Sequence, residues 1–182
     1  MKGKKLLYFL FVIVLYSSCQ RESRTVKEVK NMYGRKIEFV NGYELLSIDS
    51  STLSKMDVMD KTIKIVSYLE DFYCTECTNK KLLSQIEAIN NLGPEIGYIV
   101  IVHTEKKKDL LRNLRAQRIS LPIMYYDTDT FKIHNKLEVL AGNRTFLLNQ
   151  NNEIVLVGEP FNNRKLFELY NKTIKDLTND GK

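Results

Sequence analysis

Residues 96–102 read IGYIVIV, a run with no charged side chain. A strand this apolar must be covered on both faces, which a sheet with one face in water does not offer. Upstream, residues 63–69 (IKIVSYL) are rich in β-branched and aromatic side chains and read as a second strand. Between the two, Leu82, Leu83, Ile86, Ile89 and Leu92 share one helical stripe, and Gly93-Pro94 ends it. Strand, helix, strand is the repeating unit of a sheet with helices packed over it.

The pattern continues. Thr104 is placed to cap a helix over 105–117 with Leu110, Leu111 and Leu114 inward. Lys106, Lys107 and Lys108 sit unfavourably at the positive end of that helix dipole, which leaves its start loosely set. A strand over 121–126 and a short helix over 129–136 follow. Two strands, 144–148 and 153–157, flank Asn149-Gln150-Asn151-Asn152, a hairpin signal. A last helix over 163–177 turns Leu166, Leu169, Tyr170, Ile174 and Leu177 inward. Ahead of the first strand, 26–33 reads as a short helix, 37–39 and 43–48 as strands added to the sheet edge, and 55–60 as a loop. The expected class is α/β: a central mixed sheet flanked by helices, with a short N-terminal extension. No internal repeat or low-complexity stretch interrupts it.

The first residues carry an address. Lys2-Gly3-Lys4-Lys5 is a positive region, and residues 6–16 (LLYFLFVIVLY) form an apolar stretch of 11 residues. At about 1.5 Å per helical residue this is too short for a bilayer core of about 30 Å. Ser17 and Ser18 then offer a small-residue cleavage site, directly before Cys19. A signal peptide over 1–18 is expected, followed by a tether and extension over 19–60 and one domain over 61–182. Loss of Lys2, Lys4 and Lys5 lowers the net charge from +6 to +3, so no nucleic-acid partner is expected. The full sequence is 43% hydrophobic and 27% charged, a composition that folds around a core, and the mature chain is long enough to bury one without a disulfide staple.

Of the three cysteines, Cys74 and Cys77 are separated by Thr75-Glu76 where the strand hands over to the helix. A helix N-terminus stabilises the thiolate through its dipole and unpaired N–H groups. Residues three apart share a helical face, so Cys74 is the outer sulfur and Cys77 can reach back to it. The same spacing occurs in zinc knuckles, but a tetrahedral site needs two further ligands. The two imidazoles, His103 and His134, come singly, and each is read as structural or surface. No metal and no cofactor is expected. A carboxylate at Glu76 disfavours a nearby thiolate.

The Ser17-Ser18-Cys19 ending resembles the lipobox of bacterial lipoproteins, those of the Bacteroides group in particular. There the cysteine is lipidated and becomes the first residue of the mature chain. From about Lys61 to Thr178, with C-T-E-C at its active-site position, the chain resembles a thioredoxin-like fold. Together with the signal it is most similar to TlpA-type membrane-anchored thiol-disulfide oxidoreductases, in a Bacteroides-type set whose C-terminal part reads like RTFLLN…GEP (Arg144 to Asn149, Gly158 to Pro160). The resemblance implies Cys74 and Cys77 as the catalytic pair, Cys19 as the lipid attachment point, and Asn143, Arg144 and Thr145 as the substrate-facing loop.

It also marks departures. The family's cis-proline falls at Asn143 or Arg144, and neither is proline. Its buried acid, six residues before the first cysteine, falls on Tyr68. The tryptophan before that cysteine is Tyr73. Glu70 reads as solvated surface, with an alternative role as a proton relay.

The implied activity is thiol–disulfide exchange, more reducing than the oxidant DsbA, in the cell envelope facing the periplasm. The implied partners are thiol- or disulfide-containing extracytoplasmic proteins and a membrane electron donor or acceptor. The alternative is a non-catalytic scaffold lipoprotein whose Cys74–Cys77 bond is structural. A peroxidase of the peroxiredoxin type would need a Pro/Thr-rich approach to the cysteine, which 70–73 lacks.

Overall fold

The computed structural model describes residues 24–46, 59–70, 85, 88–89, 91–93, 96–116, 118, 123–126, 128–137, 145–161 and 163–180. The chain divides into two compact units, 1–31 and 32–182. The first is described only through helix α1 (Arg24–Met32), which runs one residue past the division.

The second unit holds β1 (Glu44–Leu46), β2 (Ile63–Glu70), β3 (Ile96–His103), α2 (Lys107–Ala116), β4 (Ile123–Tyr126), α3 (Thr130–His134), β5 (Thr145–Leu148), β6 (Ile154–Val157) and α4 (Arg164–Asp180). Gln85, Ala88 and Ile89 are helical as well, between β2 and β3. The six strands form one sheet in the order β1-β4-β3-β2-β5-β6. β2, β3 and β4 run parallel, while β1, β5 and β6 join antiparallel. The sheet is therefore mixed, as the sequence predicts.

Alternation along each strand sends side chains to two separate cores. One face carries Ile63 and Ile65 of β2, Tyr98, Val100 and Val102 of β3, and Leu147 of β5. They pack with Ile89, with Leu110 and Leu114 of α2, and with Tyr170 and Ile174 of α4. The opposite face carries Val66, Tyr68, Ile99, Ile101, Tyr126 and Phe146, covered by Phe131 of α3 and by Ile37. Every residue of β3 before His103 is buried, which accounts for its unbroken apolar run.

The N-terminal extension works as a strap across that second face. Lys36 pairs with Glu153 in an isolated bridge beside β6, and the Ile37 N–H donates to the Asn152 carbonyl at 2.8 Å. Phe39, Val40 and Tyr43 then pack on the core under α3. β1 finally pairs with β4, at the other edge of the sheet. One segment thus lies along both sides of the sheet, leaving the three-residue β1 as the edge strand beyond β4. Of the two edge strands expected here, 43–48 forms a strand at Glu44–Leu46, and 37–39 contributes backbone pairing without becoming one.

Other boundaries moved for local reasons. α2 begins at Lys107, two residues later than predicted. The Thr104 hydroxyl accepts the Lys106 N–H at 3.1 Å, a turn ahead of the helix rather than a cap on it. In the hairpin, the Asn149 side chain accepts the N–H groups of Asn151 and Glu153, both at 2.9 Å, and Asn152 adopts φ 61°. Asparagine tolerates that left-handed conformation, so the turn chemistry read from the sequence is the chemistry used.

Candidate redox site

β2 ends at Glu70 and leads into residues 71–84, which carry Cys74 and Cys77. These two cysteines, Cys19, Asn143 and Arg144 lie outside the described residues. What the structure describes is the frame that holds their flanks: the carboxyl ends of β2 and β3, the start of β5, and the helical turn around Gln85.

Thr145 opens β5 and is 5% exposed. Its hydroxyl lies 3.2 Å from that of Ser67, its register partner on β2. Of the three residues proposed for the substrate-facing loop, Thr145 therefore turns its side chain into the core, because strand alternation points it to the same side as Leu147.

Ser67 is the centre of a polar path through this apolar face. The Tyr98 hydroxyl stands 3.3 Å from Ser67 Oγ and donates to Gln85 Oε1 at 2.7 Å. Gln85 Nε2 then donates to Glu159 Oε1 at 3.2 Å. Ser67 and Gln85 are each 1% exposed. Burial pushes the Tyr98 phenol far above its ordinary value, the Ser67 contact lowers it and the Glu159 charge raises it again. Tyr98 is thus a neutral donor at any physiological pH.

Tyr68, the position to which the resemblance assigns the family's acid, does not reach this network. Tyr68 is buried on the opposite face, beside Phe131 at 5.8 Å between ring centroids. The β2 position on the side of Gln85 is Ser67. Neither residue is acidic. The carboxylate that does reach this network is Glu159, from the turn after β6. Sequence reasoning missed Ser67, Tyr98, Gln85 and Glu159 as a group. No local pattern joins residues 13 to 78 positions apart; a polar Ser67 and a lone Gln85 inside apolar stripes were the available signals.

Both imidazoles have carboxylate partners. His103 ends β3, level with Glu70 on β2 and Tyr126 on β4. Its Nδ1 lies 2.9 Å from Oδ1 of Asp129, the residue that precedes α3, with the two side chains 16% and 41% exposed. His134 Nε2 contacts Glu38 Oε2 at 2.6 Å on the surface. Among the described residues no three His, Cys, Asp or Glu side chains converge as a metal site, and no helix is long and apolar enough to cross a membrane.

No protein-family model matches the sequence, and no curated protein does. Solved structures do match. The thioredoxin domain of a thiol-disulfide oxidoreductase from Bacteroides vulgatus superposes with a TM-score of 0.51 at 14% identity, over 78% of this chain and 96% of that one. A candidate thiol-disulfide oxidoreductase from the same organism gives 0.52 at 15%, over 66% and 78%. A candidate protein disulfide isomerase from Bacteroides thetaiotaomicron gives 0.51 at 11%, over 79% and 89%. At such identities the likeness establishes the fold: this is a thioredoxin-like sheet flanked by helices.

Proposed function

We propose that this protein is a membrane-anchored, extracytoplasmic thiol–disulfide oxidoreductase working through Cys74 and Cys77. One observation carries the reading. On a thioredoxin-like sheet, β2 ends at Glu70, three residues ahead of C-T-E-C in the sequence, and Gln85 beyond the motif is helical. A dithiol between a central parallel strand and a helix has the dipole and free N–H groups that make a thiolate. The solved structures of this fold that match the chain include proteins titled thiol-disulfide oxidoreductases, which supports the same chemistry.

The steps balance without a cofactor. The Cys74 thiolate attacks one sulfur of a partner disulfide, forms a mixed disulfide and expels a partner thiolate. The Cys77 thiolate then attacks the Cys74 sulfur and expels the second partner thiolate. Two electrons pass to the partner, its thiolates take up protons from solvent, and Cys74–Cys77 is left oxidised for a membrane donor to reduce. The reverse sequence oxidises a partner dithiol. Glu76 between the sulfurs disfavours the thiolate and so the reduced form's special stability, which makes the pair more reducing than DsbA. Cys19 supplies the lipid anchor, and the partners are extracytoplasmic proteins with thiols or disulfides, in a bacterial envelope and facing the periplasm.

The second reading is a scaffold with a structural disulfide. It is favoured by the side chains that face Gln85 from the sheet, Ser67 and Tyr98, neither of which can hold or release a proton at neutral pH. Equilibration of the soluble chain from residue 20 in thiol–disulfide buffers, with mass counting of alkylated thiols, separates the two. A reversible transition between about −120 and −270 mV is expected. A pair still oxidised below about −300 mV is a structural bond and ends the enzyme reading.

A further inference from the structure

The polar path from Thr145 to Glu159 closes on itself. Thr145 meets Ser67, Ser67 meets Tyr98, Tyr98 meets Gln85, and Gln85 meets Glu159. The residue before Glu159 is Gly158, whose N–H donates back to the Thr145 carbonyl at 2.8 Å. The ring ties together β5, β2, β3, the helical turn at Gln85 and the turn after β6.

Satisfaction of lone polar groups does not require such a ring. Its neighbours on the same face are Ile65, Val100 and Leu147, all fully buried and apolar, so apolar side chains suit these positions. A buried network with every member paired fixes geometry, and one with a member missing is costly, so each group is held where the next one needs it. The two ends have a bearing on the site. Gln85 comes eight residues after Cys77, and Thr145 directly follows Asn143 and Arg144.

We propose that Gln85 and Thr145 are positioning residues, coupled through Tyr98 and Ser67, which hold the helical turn after the cysteine pair and the start of β5 in one fixed relation. A partner that engages residues 143–144 then acts on the helix through the ring. This consequence for exchange rests on the redox reading; the coupling itself does not.

Hydrogen exchange read by mass spectrometry on the chain from residue 20 tests it. Thr145→Val keeps the shape and removes the hydroxyl. It should speed exchange in the peptide over 85–92 about tenfold, although Thr145 and Gln85 do not touch. Gln85→Leu should speed exchange over 145–148 by a similar factor, since coupling is reciprocal. Thr145→Ser, which keeps the oxygen, should restore the wild-type pattern. In a Tyr98→Phe background, where the ring is already open, Thr145→Val should have no effect on 85–92. Acceleration confined to β5 and its paired strands, with 85–92 at its wild-type rate, overturns the proposal. The Tyr98→Phe comparison decides the matter if Gln85→Leu fails to fold. Counting thiols in the same wild-type sample tests the redox reading separately: a pair that never exchanges removes that reading and leaves the exchange data to judge the ring.

Discussion

The side-chain amide of Asn135 holds the backbone of Glu38 at two points: its Oδ1 accepts the Glu38 N–H at 2.9 Å and its Nδ2 donates to the Glu38 carbonyl at 3.0 Å. The same Nδ2 lies 3.0 Å from the Phe131 carbonyl, and Arg35 donates to the Asn135 carbonyl at 2.8 Å. The end of α3 is thereby fastened to the strap. Asn135 is 5% exposed, so its removal strands the strap's peptide groups in a poorly hydrated place. Asn135→Ala should cost about 2–3 kcal/mol, from more than one buried hydrogen bond lost. Urea unfolding checks it; a loss below about 0.5 kcal/mol would show that the strap is not fastened there.

The Glu38–His134 contact beside this amide is exposed and acts through pH. The hydrogen bond to His134, and then its charge, hold the Glu38 carboxyl below its ordinary value of 4.5. A carboxylate lowered in the folded state adds stability above its unfolded value, and that stability disappears as pH falls through the folded value. The effect therefore lies on the acid side of pH 4.5. Titration of the Glu38 carboxyl carbon by NMR should place its midpoint below that of the His134→Ala variant, which removes both the hydrogen bond and the charge. Coincident midpoints would exclude the pairing in solution.

How much of this was legible follows from what each element needed. β2 and β3 could be bounded to within a residue: β3 because cover on both faces leaves an unbroken apolar run, β2 because its β-branched and aromatic side chains mark a strand despite Lys64 and Ser67. The β5–β6 hairpin announced itself through four consecutive polar turn residues, 149–152. The strap did not. Its register comes from Asn135, Tyr126 and Glu153, far away in sequence, and Tyr126 reaches the Val40 carbonyl at 2.8 Å across 86 positions. At the candidate site, the cysteine pair is a local motif and readable. The Ser67–Tyr98–Gln85 path depends on strand register and could be seen only once the sheet was assembled.

Gly158 is a place where one methyl group should matter. Its φ is +123°, which side-chain-bearing residues rarely adopt, and a Cβ there would meet Leu166 Cδ2 at 3.0 Å. Its N–H serves Thr145, and its carbonyl accepts the buried Tyr170 hydroxyl at 2.8 Å. Gly158→Ala should cost about 2–3 kcal/mol, backbone strain and disturbed packing together. A thermal midpoint within a degree of wild type would mean the turn yields without cost.

Lys64 runs the other way. It is 4% exposed, and by alternation it shares the face of Val66 and Tyr68. Desolvation holds its ammonium below the ordinary 10.5, with Asp60 partly opposing. A lysine lowered in the folded state binds its proton more tightly when unfolded, so it costs stability at neutral pH and the cost fades as pH rises toward 10.5. Lys64→Met should raise stability at pH 7 by about 1 kcal/mol, and the gain over wild type should shrink with rising pH. A variant less stable than wild type at pH 7 would show that the amine finds solvent or a partner good enough to repay its burial.

The tyrosines set the alkaline limit. Burial raises Tyr98 and Tyr170 well above the ordinary phenol value and pushes Tyr126 up to about 12, with Tyr43 adding to the last. The sign is that of an acid harder to ionise when folded: its contribution is complete below the unfolded value of 10 and is lost as pH climbs through the folded one. Phenolate absorbance on stepping pH upward should therefore appear in two stages. The second stage belongs to the buried rings, Tyr98, Tyr126 and Tyr170 among them, which ionise together with unfolding. Tyr126→Phe should remove one ring from the second stage and none from the first. It should also free the Val40 carbonyl and so loosen the strap, at about 1 kcal/mol. A single smooth titration of all the tyrosines, with native circular dichroism kept throughout, would contradict the buried packing of these rings on either face of the sheet.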